Sequence, residues 1–413
     1  MKVLLAPHGT RGDVQPMLAL ATALRTRGHD ASFVAPSNFG DWIRAHGFPA
    51  ESDGIDVAAM LQSSGMHFDS LRWQMRYLTD VLMPALFEHV PRAMPDADLI
   101  VGSGVQFVAA SVAEQREVPY ATAVFCPCAV PSSATPPPPT RTQTLPRWLN
   151  RLLWSIGGPI AGLALRRPMN AGRAKLGLPP VDSPLGHLLG RRMLLASDRD
   201  LGPIGDDAIE SAVATDAWIL DEPPALDPRL ERFLDRDPAP VYVGFGSMIA
   251  RDAAALSDAA IAAVRALGRP VLIASGWADL GRHVDAAPGS GDDVLVSDTM
   301  PHPEVFPRVA AVVHHGGAGT TTAAARAGVA QVALPHILDQ YYWAHRIEML
   351  GIGPPGLPVE LVTADILSDR IDAAVSDDRI VRRAAEVGRA VASRNGVNAA
   401  VDHLERLALH SEE

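Results

Sequence analysis

The sequence predicts an α/β protein of two domains, each a doubly wound parallel sheet. Three observations carry this. Strand-length apolar runs alternate with helix-length segments in both halves of the 413-residue chain. A Pro- and Asp-rich stretch, AWILDEPPALDPRLERFLDRDPAP (Ala217–Pro240), separates the halves as a linker. The stretch AVVHHGGAGTTT (Ala311–Thr322) reads as strand, glycine turn and helix. The division is residues 1–216, a linker 217–240, a second domain 241–394, and a terminal helix 395–413 free to dock away from its own sheet.

In the first half, Val3–Ala6 is a short apolar strand, PHGTRGD a turn, and VQPMLALATALRTRG a helix closed by Gly28. Further strands read at Ala31–Pro36, Leu99–Gly102, Ala121–Phe125 and Met193–Ser197. The opening turn lacks G-x-G-x-x-G, and the second strand ends in Ala-Pro-Ser-Asn with no acid to hold a ribose, which argues against a dehydrogenase. Instead it carries His8, Arg11 and Asp13 where open α/β sheets bind ligands. Asp13 is placed either as a general base or as an ordinary helix N-cap. Residues 55–95 are helical and rich in Met and aromatics (Met60, Met66, Met75, Met83, Met94, Phe68, Trp73, Tyr77, Phe87), suiting core or an adaptable apolar pocket. Residues 131–146 are too proline-rich for helix or central strand. The following RWLNRLLWSIGGPIAGLALRR is apolar and arginine-flanked, as a core or pocket helix would be, and admits transient contact with a membrane surface.

In the second half, strands read at Val241–Met248, Val271–Ser275, Val294–Ser297, 311–313 and Gln331–Pro335, with a helix at Ala253–Leu267. Glycines after a strand let backbone approach a phosphate, and the free amides of the next helical turn favour an anion. Gly316, Gly317, Gly319 and Thr320 therefore suit an anionic group such as a phosphate, with an ordinary tight βα turn as the bland alternative. His314 and His315 stand ready to donate to it, gaining charge as they do. Zinc is a poorer reading, because adjacent strand residues face opposite ways and no third ligand is near. Ser247 follows a strand as a phosphate contact or a plain turn residue. Asp339 and Gln340 follow another strand and suit sugar hydroxyls, with helix capping as the bland alternative for Asp339.

A net charge of −11 without a basic stripe argues against nucleic acid. With 47% hydrophobic and 20% charged residues, no run of membrane-span length and no signal peptide, the chain reads as cytoplasmic and globular. Cys126 and Cys128 are spaced C-x-C, too close for an easy disulfide.

The motifs G-T-R-G-D-V-Q-P, FGS, HHGGAGT and DQ resemble those of the GT-B glycosyltransferases of family 1, nearest the bacterial antibiotic-aglycone and sterol-type branch. The resemblance spans the chain, loosely in the middle of the first domain. It implies two Rossmann-like domains facing each other across a cleft, an acceptor on the N-terminal side, a nucleotide-sugar on the C-terminal side, inversion without metal or cofactor, and a last helix crossing back to the first domain. It implies that His315, Gly317, Gly319 and Thr320 hold the diphosphate with Ser247, and that Asp339 and Gln340 hold the donor sugar. The base falls at Asp13, where plant relatives carry histidine; His8 is the substitute. The plant tryptophan that stacks uracil is missing from SDTMPHPEVF, leaving Met300 and His302 facing the nucleoside, and the plant ribose-binding glutamate falls at Ala323. UDP and dTDP sugars both remain open.

The expected activity is transfer of a hexose to a hydroxyl of a hydrophobic natural-product acceptor. Sterol or lipid glucosylation, a nucleotide-sugar epimerase or hydrolase, and a non-catalytic nucleotide-sugar-binding partner are the alternatives. Monomer and homodimer are both open.

Overall fold

The structure is a computed structural model, and its described residues are 1–64, 70–138, 140–189, 192–222, 226–248, 252–281, 283, 292–298 and 300–409. Met66, Phe68, Pro139, Thr299, linker residues 223–225 and residues 410–413 lie outside them.

The first sheet has seven strands in the order β3-β2-β1-β4-β5-β6-β7. They are β1 (Lys2–His8), β2 (Asp30–Ala35), β3 (Ala50–Ser52), β4 (Leu99–Gly104), β5 (Tyr120–Val124), β6 (Met193–Leu195) and β7 (Ala212–Ala214). The second has five, β10-β9-β8-β11-β12: β8 (Val241–Gly244), β9 (Val271–Ala274), β10 (Val294–Ser297), β11 (Ala311–His314) and β12 (Ala330–Ala333). Every pairing is parallel. Strands such as β1, β8 and β11 are buried almost throughout, which is why they read as continuous apolar runs.

This topology positions the site. In each sheet the chain winds outward from its first strand and then returns to that strand's other side. The resulting crevices lie between β1 and β4, and between β8 and β11, at the strands' carboxyl ends, where open α/β sheets take ligands. The register sets His8 level with Gly104, and His314 level with Gly244. Both sequence motifs therefore sit at switch points.

The helix Arg11–Thr26 buries Val14, Met17, Leu18, Leu20, Ala21 and Leu24 against the first sheet. The C-terminal helix Val397–Leu409 packs on the same cluster through Val397, Ala400, Val401 and Leu404. Its outer side is tied by Arg27 to Asp402 (2.6 Å) and Glu405 (3.0 Å), and by His29 to Glu405 (2.8 Å). At the crossing, a Cβ on Gly396 would lie 1.5 Å from the Thr215 carbonyl oxygen, so only glycine fits.

The long helix Arg147–Lys175 departs from a simple core helix. Leu165 and Met169 are buried, but Trp148, Leu152, Ile156, Ile160 and Leu163 form an outer stripe between 43% and 68% exposed. Among the described residues, no helix is long and apolar enough to cross a membrane.

Candidate active site

On the N-terminal side, β1 ends at His8 and the helix begins at Arg11. Thr10, not Asp13, is the N-cap. Asp13 stands three residues on, and its Oδ2 accepts from the Thr10 amide (2.8 Å), closing a capping box. Capping and base readings therefore coexist, because one oxygen serves the cap. The other oxygen lies against Gly104, where a Cβ would sit 3.0 Å from Oδ1. Asp13 is partly buried, and burial pushes its carboxyl up to about 6 against the opposing pull of the Thr10 amide and His8.

His8 is buried, with Nδ1 2.5 Å from Asp53 Oδ2. Asp53 accepts from Nδ1–H and fixes the ring; its second oxygen accepts from the Ile55 amide (3.0 Å). Sequence reasoning missed Asp53, which stands 45 positions from its partner. The polar atoms of this domain that are buried without a hydrogen bond include the Tyr77 hydroxyl and Gln106 Nε2. Burial, and then the Asp53 charge, hold the Tyr77 phenol above its usual range.

On the C-terminal side, β11 runs into the turn 315–317, and Gly317 caps the helix Ala318–Ala327. Gly319 and Thr320 lie in its first turn, whose amides have no intrahelical partner; the Thr321 N–H donates to the Gly317 carbonyl (2.9 Å). Gly316 has φ +83°, and a Cβ there would meet the Gln340 carbonyl oxygen at 2.9 Å.

The paired histidines divide their work, contrary to the expectation that both face phosphate. His314 is fully buried, bonded through Nε2 to Gln331 (3.0 Å), and its Nδ1 accepts from the Gly316 amide (3.2 Å). It staples the turn, and burial holds its pKa down at about 4. His315, the first residue of the turn, is not held in this way. His315 Nδ1 is buried without a partner. Burial first, then the neighbouring His314, His336 and His302, hold it well below the ordinary imidazole range. It therefore offers a neutral N–H.

Ser247 lies half-buried in the turn after β8. Asp339 precedes the helix Gln340–Met349, yet its side chain makes no capping bond, so the bland alternative fails. Burial pushes its carboxyl up to about 7, and the next cause is the charge of Asp13. The acids of the two domains thus share one electrostatic site. The Trp343 indole N–H, buried without a partner at normal bonding length, still lies near enough to favour ionised Asp339. Gln340 is buried, and its carbonyl oxygen is already taken by the amides of His336 (2.8 Å) and Ile337 (3.1 Å). Its Nε2 points to Met248 Sδ (3.2 Å), leaving only amide hydrogens for a sugar.

His302 stacks on Phe306 (4.3 Å, 16°), beside Tyr242, and is held neutral at about 3 by burial and Arg11. Met300 packs partly buried against the cluster containing Val312. Cys126 and Cys128 are free thiols with sulfurs 2.9 Å apart, in the apolar cluster that joins Leu201 to Tyr342 and Trp343. Burial pushes both thiols up. Among the described residues, no group of three or more His, Cys, Asp or Glu side chains is arranged to hold a metal ion.

Comparison with known proteins identifies the family. Residues 3–134 match the glycosyltransferase family 28 N-terminal domain, and residues 278–407 the erythromycin biosynthesis protein CIII-like C-terminal domain. Glycosyltransferase GtfE of Amycolatopsis orientalis is 36% identical over 411 residues, covering 98% of this chain and 97% of that protein. Vancomycin aglycone glucosyltransferase of the same organism is 36% identical, covering 94% of this chain and 93% of that protein. A sterol 3-beta-glucosyltransferase of Arabidopsis thaliana is 27% identical, covering 98% of this chain and 68% of that protein. In fold, the glycosyltransferase of kitacinnamycin superposes with a TM-score of 0.73 at 19% identity over 98% of this chain and 99% of that one. The glycosyltransferase VinC, solved in complex with dTDP, gives 0.68 at 19% identity over 99% of this chain and 100% of that one. The chain is an enzyme and belongs to the GT-B glycosyltransferases of family 1, in the branch of the antibiotic-aglycone and sterol-type enzymes.

Proposed function

We propose that the enzyme transfers a hexose from a UDP- or dTDP-sugar to a hydroxyl of a hydrophobic natural-product acceptor, with inversion and without a metal or other cofactor. The observation that supports it most is the electrostatic meeting of Asp13 and Asp339 across the cleft. The acid at one switch point is thus within electrostatic reach of the acid that follows β12. The names of the aglycone glucosyltransferase relatives and the dTDP complex of VinC support the substrate classes. The sterol enzymes support a lipid acceptor as the second reading. Two free buried thiols suit a reducing cytoplasm.

In this reading Asp13 accepts the acceptor's hydroxyl proton as that oxygen attacks the anomeric carbon. The bond from that carbon to the diphosphate oxygen breaks in the same step. A carboxylate raised by burial is a better base than an ordinary one. Charge developing on the diphosphate meets the amides of Gly319 and Thr320, the Ser247 hydroxyl and His315 N–H, a fixed donor set of the kind that stabilises a leaving group. Asp339 and the Gln340 amide orient the sugar. Met300 and His302 face the nucleoside.

The test is mass spectrometry of dTDP-glucose and UDP-glucose with vancomycin aglycone and a sterol. A glycosylated product whose yield is unchanged in EDTA is expected. Loss of activity in EDTA, restored by Mg2+, would refute the metal-free account. Donor consumed equally with no acceptor would make the enzyme a hydrolase.

The base also sets a pH dependence. Asp13 must be ionised to act, so kcat/KM should rise with pH through about 6 and level off above it. Because His8 lowers the carboxyl's pKa, His8→Asn should move this limb to higher pH while sparing the plateau within about 10-fold. A plateau lost as deeply as in an Asp13 variant would make His8 the base.

A further inference from the structure

Trp277 belongs to the donor domain, yet its ring is seated in the acceptor domain. It lies in the turn Gly276–Ala278 that follows β9. Its backbone N–H donates to the Gly246 carbonyl (3.0 Å), one residue before Ser247. The approach is tight: Gly276 has φ +57°, and a Cβ there would lie 2.3 Å from that same carbonyl oxygen. The backbone of Trp277 is thus fastened to the phosphate-side turn.

The side chain goes the other way. Its ring lies 6.0 Å from Phe39, at 34°, and it packs on both apolar clusters of the first domain, including the one with Ile55, Val57 and Leu61. Phe39 in turn lies 6.2 Å from Trp42, and the Arg11 guanidinium sits over Trp42 at 4.9 Å. Arg11 opens the helix that carries Asp13. A continuous run of contacts therefore joins the Gly246–Ser247 turn to the turn of the base.

We infer that Trp277 is a positioning residue that couples nucleotide binding at the Gly246–Ser247 turn to the acceptor-side segment 37–61 and the helix of Asp13. The inference rests on the donor reading above. It assigns Trp277 no contact with substrate. Its seat against Phe39 lets the filled donor side hold the acceptor side in place, as coupling between two sites requires.

Hydrogen exchange of the full chain, with and without saturating dTDP or UDP, tests it. In the wild type the nucleotide should slow exchange across 37–61 by about 5-fold or more. Trp277→Ala should bind the nucleotide within about 3-fold of wild type and lose that protection, with acceptor kcat/KM down about 10-fold. Trp277→Phe should keep most of the protection, and Phe39→Ala should lose it from the other side. Protection that persists in Trp277→Ala and Phe39→Ala with nucleotide bound overturns the inference alone. Nucleotide affinity that falls as far as kcat/KM overturns it too, making Trp277 a nucleotide contact. A wild-type chain that binds neither nucleotide overturns the donor reading, and the coupling with it.

Discussion

Asp13→Asn should lose about 10^3-fold in kcat, roughly 4 kcal/mol of transition-state stabilisation, while the protein stays folded and keeps its affinity for nucleotide. The substitution isolates the base from the cap. An Asn oxygen can still accept from the Thr10 amide, which Asp13 holds at 2.8 Å, so the helix start survives. Only the capacity to take a proton goes. Stability should move in the opposite sense to activity. Burial raises this carboxyl from 3.8 to about 6, so its stabilising contribution belongs to the protonated form and is lost as pH rises through about 6. A neutral Asn should therefore stabilise the fold at neutral pH, by on the order of 1 kcal/mol after allowance for partial exposure. Steady-state kinetics with thermal melts at pH 5 and pH 8 read both effects. Near-normal kcat with nucleotide still bound would remove Asp13 from the chemistry.

His315→Ala should cost about 10^2-fold in donor kcat/KM, the scale of removing one donor aimed at developing charge. His315 Nδ1 is buried and unpartnered, which is costly unless a ligand completes it. His315→Gln should recover part of the loss by restoring an N–H. Gly317→Ala should mimic the loss without touching the imidazole, because its Cβ would lie 2.3 Å from His315 Nε2 and push the ring away. Since burial keeps His315 neutral, the wild-type profile should show no second limb from this residue between pH 5 and 8. Unchanged donor kcat/KM in both His315→Ala and Gly317→Ala would place the diphosphate elsewhere.

Much of this was legible in the sequence because period and punctuation are local. The apolar runs of β1, β8 and β11 and the glycine of the 315–317 turn announce strand and turn without any knowledge of neighbours. Three-residue strands carry no such period, and β3 and β7, which are polar or only half-buried, went unread. Side-chain roles within a motif depended on tertiary partners. His314 and His315 look alike in sequence, and Gln331 decides between them. Asp339 looks like a cap and makes no capping bond, whereas Asp13 looks like a base and also closes a cap. Asp53 gave no signal, since its meaning comes from His8 across the sheet. The exposed stripe from Trp148 to Leu163 was likewise unreadable, because an apolar helix face does not say whether anything covers it.

The proposed reaction is one displacement, in which the first domain delivers an oxygen to the face of the anomeric carbon opposite the diphosphate held by the second. The configuration of that carbon in the product, read by the coupling constant of its proton in NMR, tests this most directly. From an α-linked dTDP- or UDP-glucose, the product should be the β-glycoside. An α-glycoside formed by the wild-type enzyme would mean retention, and would contradict a single attack assisted by Asp13.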